Sequence, residues 1–139
     1  MKYHTNSISE THKIAAKIAK DFQNKGGVIA LTGKLGAGKT TFAASFAKAL
    51  GIKEKIISPT FVLVREHKIP NSKRILFHID LYRLENSIEP NTLGIEDMLS
   101  NPENIVLIEW AEKLNQKINY QNKVEIKLSS NSQREININ

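Results

Sequence analysis

The chain contains no cysteine. Disulfide cross-links and thiolate metal sites are therefore excluded, which is compatible with a reducing cytoplasm. No apolar run approaches the length of a membrane span, and Met1-Lys2-Tyr3-His4-Thr5-Asn6 lacks the apolar region of a secretory signal, so a soluble cytoplasmic protein without a membrane partner is expected. The four histidines show no metal-ligand spacing. Repeats, linker-like stretches and low-complexity tracts are missing as well. A basic block is also absent: 20 Lys and Arg against 14 Asp and Glu leave +6, but the lysines are scattered, as on a solvated surface rather than a nucleic-acid footprint. What remains is 139 residues, 40% of them hydrophobic, which suits one domain spanning 1–139 with a core of ordinary size.

One stretch carries chemistry on its own. Gly33-Lys34-Leu35-Gly36-Ala37-Gly38-Lys39-Thr40 has the spacing G-x-x-x-x-G-K-T of a phosphate-binding P-loop. Without Cβ atoms at Gly33, Gly36 and Gly38 the backbone can turn so that successive N–H groups line a concavity for phosphate oxygens. The loop then opens a helix whose unpaired N–H groups and dipole add to the anion site. Lys39 is placed to reach the β- and γ-phosphates, and the Thr40 hydroxyl to ligate Mg²⁺. The flanks agree: Val28–Thr32 reads as a buried strand, and Thr41 to Leu50 as a helix closed by Gly51.

Taken in order, the chain is expected to open with a helix. Ser7-Ile8-Ser9-Glu10 has capping-box spacing, Ile14, Ile18 and Phe22 repeat at i, i+4, i+8, and Gly26-Gly27 ends the run. Beyond the P-loop helix, Pro59 forces an extended turn before a strand over Phe61 to His67. The loop Lys68 to Lys73 is too short for a parallel crossover, so this strand and Arg74 to Asp80 should pair antiparallel. Leu93 to Leu99 reads as a short helix, Asn104 to Glu109 as a buried strand, Ala111 to Gln116 as a helical turn. Lys123 to Leu128 and Arg134 to Ile138 read as a hairpin across Ser129-Ser130-Asn131-Ser132. The fold class expected is α/β, a P-loop NTPase with a mixed, mostly parallel sheet flanked by helices and antiparallel strands added.

A P-loop site needs a further acid at a strand end for Mg²⁺. Both Ile75-Leu76-Phe77-His78-Ile79-Asp80 and Ile105-Val106-Leu107-Ile108-Glu109 run from apolar residues into a carboxylate, and spacing does not rank them. Either acid could instead cap a helix or pair with a lysine. His78, alone in an apolar strand, reads as structural. Trp110, the one tryptophan, reads first as a packing residue and second as a partner or nucleotide contact.

Gly33 to Thr41, Ser58-Pro59-Thr60-Phe61, His78-Ile79-Asp80-Leu81-Tyr82-Arg83-Leu84, Leu93-Gly94-Ile95 and Ile108-Glu109-Trp110 together resemble the small P-loop ATPase family of bacterial tRNA threonylcarbamoyladenosine biosynthesis. The resemblance runs over nearly the whole chain. It implies an ATPase working with two other subunits, a threonylcarbamoyl-transferase and its non-catalytic partner. Together they modify the adenosine 3′ of the anticodon, with tRNA touched by this chain at most indirectly. The resemblance further implies that ATP hydrolysis resets the complex between turnovers.

By the same resemblance, the backbone of Gly33, Gly36, Ala37, Gly38 and Thr41 holds ATP with Lys39 on its phosphates, while Thr40 and Glu109 ligate Mg²⁺. Asp80 positions the attacking water or a Mg²⁺-bound water. Thr60 lies on a switch-like loop able to sense the γ-phosphate. Thr11 and Arg134 match family positions near the adenine end. Two residues depart from the pattern: Lys34 replaces a usual Asp, and His67 a usual Tyr.

Other nucleotide enzymes fit less well. A GTPase would need N-K-x-D, of which Asn122-Lys123-Val124-Glu125 is a near miss with the wrong acid. A small-molecule kinase would need a lid bearing several arginines, and outside the C-terminus this chain has only Arg65, Arg74 and Arg83. A module in which ATP merely orders the Thr60 loop is the alternative outside enzymology.

Overall fold

The computed structural model describes residues 1–34, 37–54, 64–82, 94–114, 118–129 and 133–139. Within them the chain forms β1 (Lys2–Thr5), α1 (Ile8–Lys25), β2 (Gly27–Thr32), α2 (Lys39–Ala49), β3 (Val64–Lys68), β4 (Ile75–Asp80), α3 (Ile95–Ser100), β5 (Ile105–Glu109), a 3₁₀ turn at Ala111–Lys113, β6 (Asn122–Leu128) and β7 (Arg134–Ile138). The strands make one seven-stranded sheet in the order β1-β7-β6-β2-β5-β4-β3. Its centre, β6-β2-β5-β4, is parallel, and antiparallel strands finish both edges. This is the mixed α/β sheet that the sequence predicts.

Helix α1 forms for the reasons its sequence states. Ser7 caps it, its Oγ accepting from the Glu10 N–H at 3.2 Å, while the Glu10 carboxylate turns back to the Asn6 N–H. Its buried residues Thr11, Ile14, Ala15, Ile18, Ala19 and Phe22 recur at helical spacing along one stripe. That stripe packs on α2, where the Phe22 and Phe46 rings meet edge-on with centroids 6.2 Å apart. The far end of α1 is closed by Arg74, which donates to the carbonyls of Gln23 and Asn24 and also to that of Glu103.

Residues in register on parallel neighbours share a face. One face of the sheet carries Ile29, Leu31, Leu76, Ile105 and Leu107 under α1 and α2; the other carries Val28, Ile79, Val106 and Ile108 against Ile95 and Leu114. Every residue of β5 is buried, as expected for a strand covered on both sides.

The chain opens with a strand, not with the expected helix. Lys2-Tyr3-His4-Thr5 has no apolar run to announce it; it exists because it pairs antiparallel with β7, Lys2 opposite Asn137 and Thr5 opposite Arg134. Tertiary pairing supplies what local propensity does not. The antiparallel pairing of β3 with β4 and of β6 with β7 follows expectation. Residues 35–36, 55–63, 83–93, 115–117 and 130–132 lie outside the described residues, and with them the centre of the P-loop, the expected turn at Pro59, Thr60, the first part of the Phe61 to His67 strand, Arg83-Leu84, Leu93, the end of the expected Ala111 to Gln116 turn and the centre of the terminal hairpin. Among the described residues no helix is long and apolar enough to cross a membrane.

Candidate functional site

Strand β2 delivers the chain to Gly33 at the sheet's C-terminal edge, where α/β folds bind ligands. Gly33 has φ 148°, and a Cβ there would lie 2.6 Å from the Ile126 carbonyl oxygen. Gly38 has φ 108° and stands as the N-cap of α2, with no side-chain hydrogen bond capping the helix. A Cβ on Gly38 would come 2.6 Å from Arg134 Nε. The loop thus needs glycine at both ends, and among the described residues no side chain caps the α2 amides, whose open N–H groups are of the kind that suits an anion. Gly36 lies outside the described residues. Beside the loop a cleft of about 660 Å³ opens between Gly33, Ala37, Trp110 and Ile126, within the range of small-molecule sites.

Register sets the acids around this loop. Leu31 pairs with Glu109, and Glu109 with Asp80, so the three sit at one level on adjacent strands, about 4.8 Å apart from strand to strand. All three share the face carrying α2. Lys39, Asp80 and Glu109 are each buried, and charged groups at such depth require partners. Lys39 Nζ donates to the Gly33 carbonyl at 2.7 Å and lies 4.2 Å from the centroid of the Trp110 ring. One oxygen of Asp80, Oδ1, accepts the Tyr82 N–H at 3.0 Å. The Glu109 carboxylate is met by His78 Nε2 at 2.7 Å. Thr40 is exposed in the first turn of α2, and the Thr41 carbonyl accepts the Ser45 hydroxyl at 2.8 Å.

The flank of the loop is made by residues distant in sequence. Arg134 Nε donates to the Ala37 carbonyl at 3.0 Å. Arg134 pairs across the ladder with Thr5, whose hydroxyl lies 3.4 Å from that of buried Thr11. Thr11 and Arg134 are thereby brought to one side of the P-loop, away from Asp80 and Glu109. Lys34 is exposed on the loop, whereas His67 sits buried on β3 with its Nδ1 3.1 Å from Glu54 Oε2.

Two relationships escape the sequence reading. Trp110 has φ 61°, a left-handed conformation rarely held by a large residue, which carries its ring from the end of β5 to Lys39. His78 is not simply a core residue but a hydrogen-bond partner of Glu109. The signal for the second was present: in H-x-D, residues two apart on a strand share a face, so an acid facing the site puts the histidine there too.

Comparisons with known proteins show the family. Residues 5–136 match the model of the family described as threonylcarbamoyl adenosine biosynthesis protein TsaE. The chain is 35% identical over 137 residues to the tRNA threonylcarbamoyladenosine biosynthesis protein TsaE of Bacillus subtilis, covering 98% of this chain and 83% of that protein. It is 40% identical over 109 residues to the Aquifex aeolicus protein of the same name, 77% of this chain and 74% of the relative. Against the Rickettsia conorii protein of that name it is 41% identical over 108 residues, covering 77% of this chain but only 59% of the relative. Among solved structures, the crystal structure of Bacillus subtilis YdiB superposes with a TM-score of 0.75 at 32% identity, covering 98% of this chain and 82% of that one. With its P-loop, paired strand-end acids and near end-to-end match, this chain belongs to the TsaE family of threonylcarbamoyladenosine biosynthesis proteins.

Proposed function

We propose that this chain is the ATP-binding and ATP-hydrolysing subunit of the machinery that forms threonylcarbamoyladenosine beside the anticodon of tRNAs. Hydrolysis resets the transferase complex between turnovers. The observation that carries the reading is the alignment of the P-loop strand with Glu109 and Asp80 at one level of the sheet, on the face of α2. The partners are the threonylcarbamoyl-transferase and its non-catalytic companion, tRNA is met at most through them, and the setting is the cytoplasm.

The donor set suits Mg²⁺-ATP. Mg²⁺ bound with ATP takes most of its ligands from phosphate and water and only a few from protein. A buried carboxylate at Glu109 and the hydroxyl of Thr40 are hard oxygen donors of the required kind. When bound, Mg²⁺ neutralises charge that develops on the β- and γ-phosphate oxygens. The loop amides from Gly33 to Thr41 cradle the phosphates, and Lys39 neutralises them. Asp80 positions the attacking water or a Mg²⁺-bound water. Thr11 and Arg134 flank the nucleoside side of the loop, and Thr60 senses the γ-phosphate. Positions 1–139 act as one ATPase domain.

Phosphate release under multiple turnover, measured for the chain alone and with the candidate transferase pair, tests the proposal. Strong stimulation by the pair is the expected result. Tight ATP binding with no phosphate release in either mixture would make the chain a nucleotide-ordered binding module instead.

A further inference from the structure

We propose that His78 is the positioning residue for Glu109: its Nε2–H holds one carboxylate oxygen and fixes how the other is presented to the cation. The inference rests on Glu109 being the Mg²⁺ ligand proposed above. The two side chains are almost wholly enclosed, with relative exposures of 1% for His78 and 3% for Glu109, and Nε2 and Oε2 are 2.7 Å apart. A carboxylate accepts only, so the hydrogen belongs to Nε2; this tautomer follows from the hydrogen-bond network.

His78 Nδ1 is buried and has no hydrogen-bond partner among the described residues. An imidazole kept only to fill the space between Leu76 and Asp80 would be a poor choice, since burying its unpaired nitrogen costs free energy that leucine or isoleucine avoids. The bond to Glu109 supplies the reason for histidine. Glutamate has three side-chain torsions, and a hydrogen bond to one carboxylate oxygen narrows the range they sample. Parallel register gives His78 its reach: it lies two residues before Asp80 on β4, Asp80 is opposite Glu109, and all three share a face. The H-x-D spacing thus places one residue beside the reacting phosphate and one beneath the neighbouring metal ligand. Ligating carboxylates are commonly restrained in this way, and loss of such a partner weakens metal affinity or activity about 10- to 100-fold.

The test uses the full chain loaded with a non-hydrolysable ATP analogue. Mn²⁺ affinity is read by electron paramagnetic resonance, and nucleotide affinity in EDTA is read separately, for wild type, His78→Met, His78→Gln, Glu109→Gln and the double variant His78→Met with Glu109→Gln. His78→Met fills the space without a donor and should weaken Mn²⁺ binding about 10- to 100-fold, far more than it changes nucleotide affinity in EDTA. His78→Gln, with an amide N–H near the Nε2 position, should recover most of that loss. The double variant should bind Mn²⁺ no more weakly than Glu109→Gln alone, because His78 acts through that residue. Unchanged Mn²⁺ affinity in His78→Met, or independent losses that multiply in the double variant, would overturn the positioning role while leaving Glu109 as ligand. Unchanged Mn²⁺ affinity in Glu109→Gln would instead remove the metal assignment and this inference with it. Should His78→Met not fold, wild type decides: the Nε2–H resonance of ¹⁵N-labelled His78 should shift when Mg²⁺ joins the nucleotide complex, and a resonance indifferent to Mg²⁺ would overturn the proposal.

Discussion

The ammonium of Lys39 lies 4.2 Å from the centre of the Trp110 ring while donating to the Gly33 carbonyl at 2.7 Å. A cation over an indole face is attracted by about 0.5–2 kcal/mol, increasing as water is excluded. On the proposed function, phosphates entering the loop compete for the same ammonium. Trp110 is the one tryptophan of the chain, so its emission should change as ATP saturates the site. Lys39→Ala should abolish both tight binding and the emission change at the same ATP concentration. Constant Trp110 emission across an ATP titration that calorimetry shows to be saturating would disprove the coupling.

Glu109→Ala separates phosphate binding from metal binding. Some ATP affinity should persist through Lys39 and the loop amides, while Mg²⁺-dependent phosphate release should be lost. The variant also strands the buried Nε2–H of His78, at a cost of about 1–3 kcal/mol in stability. Melting and phosphate release should therefore both fall. Normal turnover in this variant would remove Glu109 from the Mg²⁺ site.

Arg74 predicts a purely structural effect. Its guanidinium closes the last turn of α1 at Gln23 and Asn24 and ties that turn to Glu103 before β5, at distances of 3.0, 2.9 and 3.1 Å. Removing it leaves helix-end carbonyls without their charged donor. Arg74→Ala should cost about 2 kcal/mol in denaturant melts, with ATP affinity per folded molecule unchanged. An equal loss of ATP affinity would tie this end of the sheet to the site.

How much of this was readable depended on how far apart the interacting residues lie. The P-loop could be read because its chemistry uses consecutive residues, and α1 because capping and burial repeat within a few turns. Asp80 and Glu109 could be found as strand-end acids but not ranked, since their common level at the site is a matter of β4–β5 register. The His78–Glu109 bond spans 31 residues and needs that same register. Strand β1 had no local signal at all, being a short edge strand whose partner lies at the other end of the chain. Arg134 is assigned to the nucleotide by resemblance alone; what the structure shows is its bond to the Ala37 carbonyl, 97 residues away in sequence, which no local pattern announces.

Base selectivity gives a further test. The near miss to a guanine-reading motif, Asn122-Lys123-Val124-Glu125, is spent on strand β6, paired with Ile29 to Thr32, and the Asn122 amide donates to the Asn139 carbonyl at 3.1 Å. It is not a loop free to read a base edge. ATP should therefore displace a fluorescent ATP analogue at lower concentration than GTP. Equal displacement would contradict this.

Asp80→Asn should permit ATP binding and assembly with the transferase pair but block hydrolysis. The change is nearly isosteric, and the hydrogen bond from the Tyr82 N–H to Oδ1 at 3.0 Å needs only an acceptor oxygen, which asparagine retains. What the variant loses is the negative charge proposed to align the attacking water. If hydrolysis resets the complex, a mixture containing Asp80→Asn should still support up to one round of tRNA modification and then stall. A merely local brace for Tyr82 would show the opposite pattern, a fall in melting temperature before any loss of turnover. Thermal melting combined with single- and multiple-turnover modification assays distinguishes the two. A variant that melts like wild type and cycles at the wild-type rate would take Asp80 out of the hydrolytic machinery.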